Sequence, residues 1–151
     1  MISIWLIPAE GDSEYLQKII NDLASEYHAP VFSPHCTLYS LVDLEVKELV
    51  TILDKASEGM RPIYVTVDKL NYSPNIWKTV FIELELSKEL EKLQSRVFSL
   101  LPNPKPYDFS PHISLIYKEM PFDQKQRIIR NLSVRNSYKM DKMIAMKTGP
   151  E

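Results

Sequence analysis

Two short segments of the chain place an imidazole and a hydroxyl two residues apart: His35-x-Thr37 and His112-x-Ser114. In an extended strand, residues i and i+2 face the same way. His35 and Thr37 therefore project together, as do His112 and Ser114, while Cys36, Leu38, Ile113 and Leu115 turn towards a core. Two imidazoles suit in-line displacement at phosphorus without a metal. With an ordinary pKa of about 6.5, one ring can be neutral and the other protonated near neutral pH. The neutral ring takes a proton from attacking water, and the protonated ring gives one to the departing oxygen. The Thr37 and Ser114 hydroxyls can donate to non-bridging oxygens, where charge develops. The sequence leaves open which ring is base and which is acid.

Blander readings compete. A single histidine on a strand is usually structural, but only three histidines are present and two carry this pattern in matching copies. A metal would need a ligand beyond the two imidazoles, and Asp108 is the only obvious candidate nearby, so neither metal nor cofactor is expected. His28 closes a helical pattern just before Ala29-Pro30. Cys36 lies beside His35, yet strand parity turns its thiol to the opposite face, which predicts a small buried residue rather than a nucleophile.

The two segments belong to a longer repeat. Residues 32–38 read Phe-Ser-Pro-His-Cys-Thr-Leu and residues 109–115 read Phe-Ser-Pro-His-Ile-Ser-Leu. Five of seven positions are identical and Thr against Ser keeps the hydroxyl, so duplication outweighs coincidence. The surroundings repeat too. Residues 2–8 and 78–86 are β-branched and aromatic, which predicts strands. Leu16, Ile19, Ile20 and Leu23 follow the first at helical spacing, with Asp12-Ser13 as capping candidates. Leu90, Leu93, Val97 and Leu100 follow the second, in a helix opened by Ser87 and closed by Pro102, Pro104 and Pro106. After each His segment comes another helical pattern (44–56 and 122–132) and an extended stretch (63–71 and 137–147) carrying Asp68-Lys69-Leu70 or Asp141-Lys142-Met143. The predicted order is β-α-β-α-β twice, in halves of about 1–72 and 77–147, joined by a turn at Tyr72-Ser-Pro-Asn75. An α+β fold with two pseudo-twofold lobes in a single domain of 1–151 is expected, with the motifs facing each other.

Composition sets the outer bounds. The chain has 151 residues, 44% hydrophobic and 25% charged, with a net charge of −2. That argues against coating long nucleic acid through phosphate contacts, but not against a small phosphorylated ligand. The single cysteine cannot form an internal disulfide. No apolar run reaches the roughly 18 residues of a membrane span, and residues 1–8 lack the pattern of a signal peptide. A cytoplasmic monomer without membrane association is the expectation.

Phe-Ser-Pro-His35-Cys-Thr37-Leu and Phe-Ser-Pro-His112-Ile-Ser114-Leu-Ile-Tyr117 resemble the signatures of the two-histidine (2H) phosphoesterase superfamily. Within it the chain is most similar to the cyclic phosphodiesterases of plants and yeast, nearly end to end, including Ile4-Trp5-Leu-Ile-Pro8. The resemblance implies a bilobal fold with antiparallel strands lining a central groove. It implies hydrolysis of ADP-ribose 1″,2″-cyclic phosphate to the 1″-phosphate and of nucleoside 2′,3′-cyclic phosphates to 2′-monophosphates. His35 and His112 would be catalytic, with Thr37 and Ser114 holding the phosphate. Tyr117 matches a family tyrosine near the phosphate, although strict alternation from His112 turns it away unless a bulge or the strand end intervenes. Trp77 falls where the family has an aromatic cluster beside the groove; it would stack a base or serve as a rim aromatic. The rivals are a phosphodiesterase acting on short RNA ends, 2′-5′ oligonucleotides or cyclic oligonucleotides, and a non-catalytic module that captures phosphorylated nucleotides.

Overall fold

The computed structural model describes residues 2–147, apart from the side chain of Leu41; Met1 and residues 148–151, the ends of the expected domain span, lie outside the described residues. The order is β1 (Ile2–Pro8), α1 (Glu10–Tyr27), β2 (Cys36–Val42), α2 (Val46–Ser57), β3 (Ile63–Tyr72), β4 (Val80–Leu84), α3 (Lys88–Leu100), β5 (His112–Ile116), α4 (Phe122–Asn131) and β6 (Ser137–Lys147). A 3₁₀ turn at Ile76–Lys78 joins β3 to β4. Local chemistry accounts for the boundaries. The Ser87 hydroxyl accepts from Leu90 N–H and so caps α3. His28 closes α1 in the left-handed conformation, its φ of 56° letting its N–H reach the Ala24 carbonyl.

Two expectations at element starts are corrected. Asp12-Ser13 does not cap the first helix, which begins at Glu10 behind Ala9 with no side-chain cap. The Asp12 carboxylate instead accepts from Arg135 and from the Lys139 backbone N–H, tying the first turn to β6. The strand expected over 78–86 is shortened to Val80–Leu84. The Thr79 hydroxyl donates to the Ile76 and Lys118 carbonyls, which holds Ile76–Lys78 in a turn instead of a ladder.

The six strands form one antiparallel sheet in the order β2-β1-β6-β3-β4-β5. Corresponding strands are β1 and β4, β2 and β5, β3 and β6, so each half sends its last strand across to the other lobe. The cause is the hairpin at residues 72–79. It pairs Tyr72 with Val80, so β3 must lie beside β4, and β6 takes the equivalent place beside β1. β3 and β6 pair with each other only over Ile63–Thr66 and Ser137–Met140, then part, one following each lobe. The edge strands β2 and β5 touch each other, so the sheet curls around a groove. Ile4, Leu6, Cys36, Leu38, Ile82, Ile113 and Leu115 are fully buried on the sheet's other face, in one core with Leu16 and Ile20 of α1 and Leu90 and Val97 of α3. Each such aliphatic side chain contributes roughly 1.5–3 kcal/mol.

Ser87→Ala should lower stability by about 1 kcal/mol in urea unfolding, the usual value of a serine N-cap, without changing the groove. A change below a few tenths of a kcal/mol would mean that the cap does not hold α3.

Candidate active site

The strands carrying the two motifs are built alike. In β2, Leu6 pairs with Cys36 and Trp5 with Thr37, but Ile4 pairs with Tyr39, leaving Leu38 as an extra residue. In β5, Ile82 pairs with Ile113 and Phe81 with Ser114, but Val80 pairs with Ile116, leaving Leu115 extra. Each strand thus has a β-bulge immediately after its hydroxyl residue. The bulge reverses parity and returns Tyr117 to the groove face that His112 and Ser114 occupy. In the other strand it does the same for Ser40. These side chains line one cavity of about 310 Å³, together with Asn75, Trp77, Lys78 and Tyr107. All six residues expected at the site, His35, Thr37, His112, Ser114, Tyr117 and Trp77, border it.

Both histidines are held in the same way. Nδ1 of His35 lies 2.7 Å from the Ser33 carbonyl oxygen, and Nδ1 of His112 lies 2.8 Å from that of Ser110. A carbonyl can only accept, so each Nδ1 carries a hydrogen and Nε2 is the nitrogen left to the cavity. Their packing differs. The His35 ring is buried and stacked on Trp5, with ring centroids 3.5 Å apart and planes 10° from parallel, and Phe32 meets it edge-on. His112 is more open, with the Phe81 ring edge-on at 5.5 Å. Burial lowers the His35 pKa to about 4, partly opposed by the Ser33 carbonyl and aided by the nearby His112. Burial also lowers His112; the Ser110 carbonyl and Glu83 oppose it, and Lys78 adds to it.

The hydroxyls differ as well. Ser114 is buried and donates to the Trp77 carbonyl at 2.8 Å, so its hydrogen must swing away before it can serve a phosphate. Thr37 lines the cavity and makes no such bond among the described residues. One wall is the loop after β3. It is held by Ser73 Oγ donating to the Lys78 carbonyl, by Asn75 Oδ1 accepting from Trp77 N–H, and by the buried Lys125 ammonium donating to the Ser73 carbonyl. Tyr117 stacks on Phe32 at 3.9 Å and meets Trp77 edge-on at 5.2 Å, and Lys78 lies 4.6 Å above the Phe81 ring.

Cys36 is fully buried behind the site, and burial pushes its thiol up to about 12. His28 is exposed at the end of α1. Asp108 does not line the cavity, and among the described residues no three His, Cys, Asp or Glu side chains converge. A larger depression of about 630 Å³ runs along α3 past Lys88, Lys92 and Arg96, but it is an open helix face without an imidazole. Sequence reasoning missed Ser40, Asn75, Lys78 and Tyr107. Only Ser40 had a signal, since continuing the repeat aligns Leu38-Tyr39-Ser40 with Leu115-Ile116-Tyr117.

The family model for cyclic phosphodiesterase-like proteins matches residues 1–149. The chain belongs to the cyclic phosphodiesterase-like family, in the two-histidine phosphoesterase superfamily. It is 25% identical over 124 residues to a cyclic phosphodiesterase of Arabidopsis thaliana, covering 82% of this chain and 68% of that one. A Bacillus pumilus (strain SAFR-032) protein with a provisional phosphoesterase name is 26% identical over 129 residues, covering 82% and 75%. Among solved structures, Kluyveromyces marxianus Usb1 shares the fold with a TM-score of 0.56 at 13% identity, over 96% of this chain and 92% of that one. The family makes this chain a phosphoric diester hydrolase with the bilobal α+β fold.

The buried imidazole has a consequence for stability. Unfolded, His35 binds a proton near pH 6.5; folded, it does so only near 4. Between these values the unfolded chain holds the extra proton, so stability is intact above pH 6.5 and falls as the pH drops towards 4. At about 1.4 kcal/mol per unit, the loss reaches roughly 3 kcal/mol. Urea unfolding at pH 7 and pH 4.5 should show this drop in the native protein and a much smaller one in His35→Asn. Equal drops would place the acid sensitivity elsewhere.

Proposed function

We propose that the chain hydrolyses nucleoside 2′,3′-cyclic phosphates and ADP-ribose 1″,2″-cyclic phosphate to the corresponding 2′- and 1″-monophosphates, with His35 and His112 as the acid/base pair. The observation that carries this reading is the matched tethering of the two rings: both Nδ1 atoms are committed to backbone carbonyls, and both Nε2 atoms are free for one small cavity. One Nε2 takes a proton from water as the water oxygen bonds to phosphorus. The other gives a proton to the ring oxygen as its bond to phosphorus breaks. These two transfers complete the displacement, so no metal is called on.

Thr37 is ready to donate to a non-bridging oxygen, and Ser114 can do so once its hydrogen leaves the Trp77 carbonyl. Lys78 supplies a positive charge at the rim. Trp77 and Tyr117 offer ring surface on which a base could lie.

His35→Ala and His112→Ala should each lower kcat by about 10²–10⁴-fold on 2′,3′-cyclic AMP while nucleotide binding persists, the span expected for loss of a positioned acid or base. Full activity in either variant would defeat the assignment. Turnover by the native protein should be unchanged by a chelator. Phosphorus NMR of a panel comprising 2′,3′-cyclic nucleotides, ADP-ribose 1″,2″-cyclic phosphate and short RNA ends should show ring opening to the 2′- or 1″-phosphate. Turnover of the RNA ends alone would redirect the substrate class.

A further inference from the structure

The two halves of the site also differ in the row of residues that runs across the sheet beside each histidine. Across the second lobe, Lys69 of β3 pairs with Glu83 of β4, and Glu83 pairs with His112 of β5. Across the first lobe, Lys142 of β6 pairs with Ile7 of β1, and Ile7 is the residue next to the Leu6–Cys36 pair on the His35 side. The lysines correspond and so do the histidines, but the residue between them is a carboxylate in one row and an isoleucine in the other. The rows also end differently. Leu84 N–H donates to the Pro111 carbonyl and carries the ladder through His112. The equivalent residue in the first lobe is Pro8, which has no N–H, so β2 begins only at Cys36, after His35.

Glu83 is positioned for an electrostatic part. Directly opposed residues on antiparallel strands have Cα atoms about 4.5–5.5 Å apart and side chains on one face. Its Oε2 lies 3.8 Å from Lys69 Nζ and 3.5 Å from Asn71 Nδ2. The Lys69 side chain is 61% exposed and that of Glu83 29%. Such an ion pair contributes little to stability. Its orienting effect on the carboxylate is what remains. The groups whose charge bears on His112 are Lys78 from the turn before β4, which disfavours its protonated form, and Glu83 from β4, which favours it; His35 from the segment before β2 faces it, and the phenols of Tyr107 and Tyr117 line the same cavity. Glu83 is the one anion among them. Around His35 there is Trp5 against the ring, Phe32 at its edge and Ile7 in the adjoining row position.

We propose that Glu83 makes His112 the proton-donating member of the pair and leaves His35 as the base. This rests on the two-histidine reading above and adds its direction. His112, protonated on both nitrogens, gives its Nε2 proton to the departing ring oxygen. His35 Nε2 takes the proton of the attacking water. Afterwards His112 is neutral and His35 protonated, and exchange with solvent restores both. Glu83 touches no reacting atom in this scheme and is a positioning residue acting through charge.

The test is a pair of measurements on the native protein, Glu83→Gln and Glu83→Asp. One is the pH dependence of kcat/KM with 2′,3′-cyclic AMP, and the other is an NMR titration of the three imidazole Hε1 signals. In Glu83→Gln the basic limb should move down by about half to one pH unit, lowering kcat/KM at pH 8 roughly three- to tenfold, while the acidic limb stays within twofold. The His112 signal should move by the same amount, and the His35 signal should stay in place. Glu83→Asp should recover much of the shift. An unmoved His112 titration, or displacement of the acidic limb instead, would overturn the proposal. Absence of turnover by the native protein would overturn the cyclic phosphodiesterase reading itself, and the titration would still report whether Glu83 acts on His112.

Discussion

In each half a histidine Nδ1 donates to the carbonyl two residues earlier, across a proline. The proposed chemistry depends on that bond. Without it an imidazole at a strand entrance could present either nitrogen, or turn about its side-chain torsions, and a proton relay needs one particular nitrogen at one place. The proline keeps the preceding residue extended and restricts the backbone, so that the Ser33 and Ser110 carbonyls stand beside the rings. Burial raises the value of this arrangement. A ring removed from water favours its neutral form, and a neutral ring with hydrogen on Nδ1 has its lone pair on Nε2.

The bulges at Leu38 and Leu115 are the second constraint. An unbroken strand would turn Ser40 and Tyr117 away from the groove. One extra residue in each strand brings the fifth residue after the histidine back to the face of the histidine and its hydroxyl partner. The extra leucines are fully buried, so the bulge inserts apolar surface into the core while it redirects a polar side chain into the cavity.

The exchange of last strands binds these local devices into one site. β3 and β6 each begin beside the other and end in the opposite lobe, so neither lobe is completed by its own half of the chain. The approach of β2 to β5 follows from this curled sheet, and with it the distance between the rings. The halves nevertheless diverge beside the two histidines. His35 is stacked on Trp5 beside a row of Ile7 and Lys142, and His112 stands in a row with Glu83 and Lys69.

Much of this was legible in the residues themselves. Period-two alternation put Cys36 and Ile113 in the core and the hydroxyls beside the imidazoles; apolar spacing marked the four helices; duplication predicted the element order. These are short-range properties, set by backbone geometry and by which side chains avoid water. The sequence also showed where its own reasoning failed, since alternation carried Tyr117 to the wrong face. Only the tertiary structure decided the rest. Asp12 reaches β6 instead of capping α1, and the Ser114 hydroxyl donates to Trp77. Ser40, Asn75, Lys78 and Tyr107 join the cavity, and each last strand crosses to the other lobe. All of these depend on contacts between distant segments, whose register and curvature come from packing the whole sheet and are written in no local pattern.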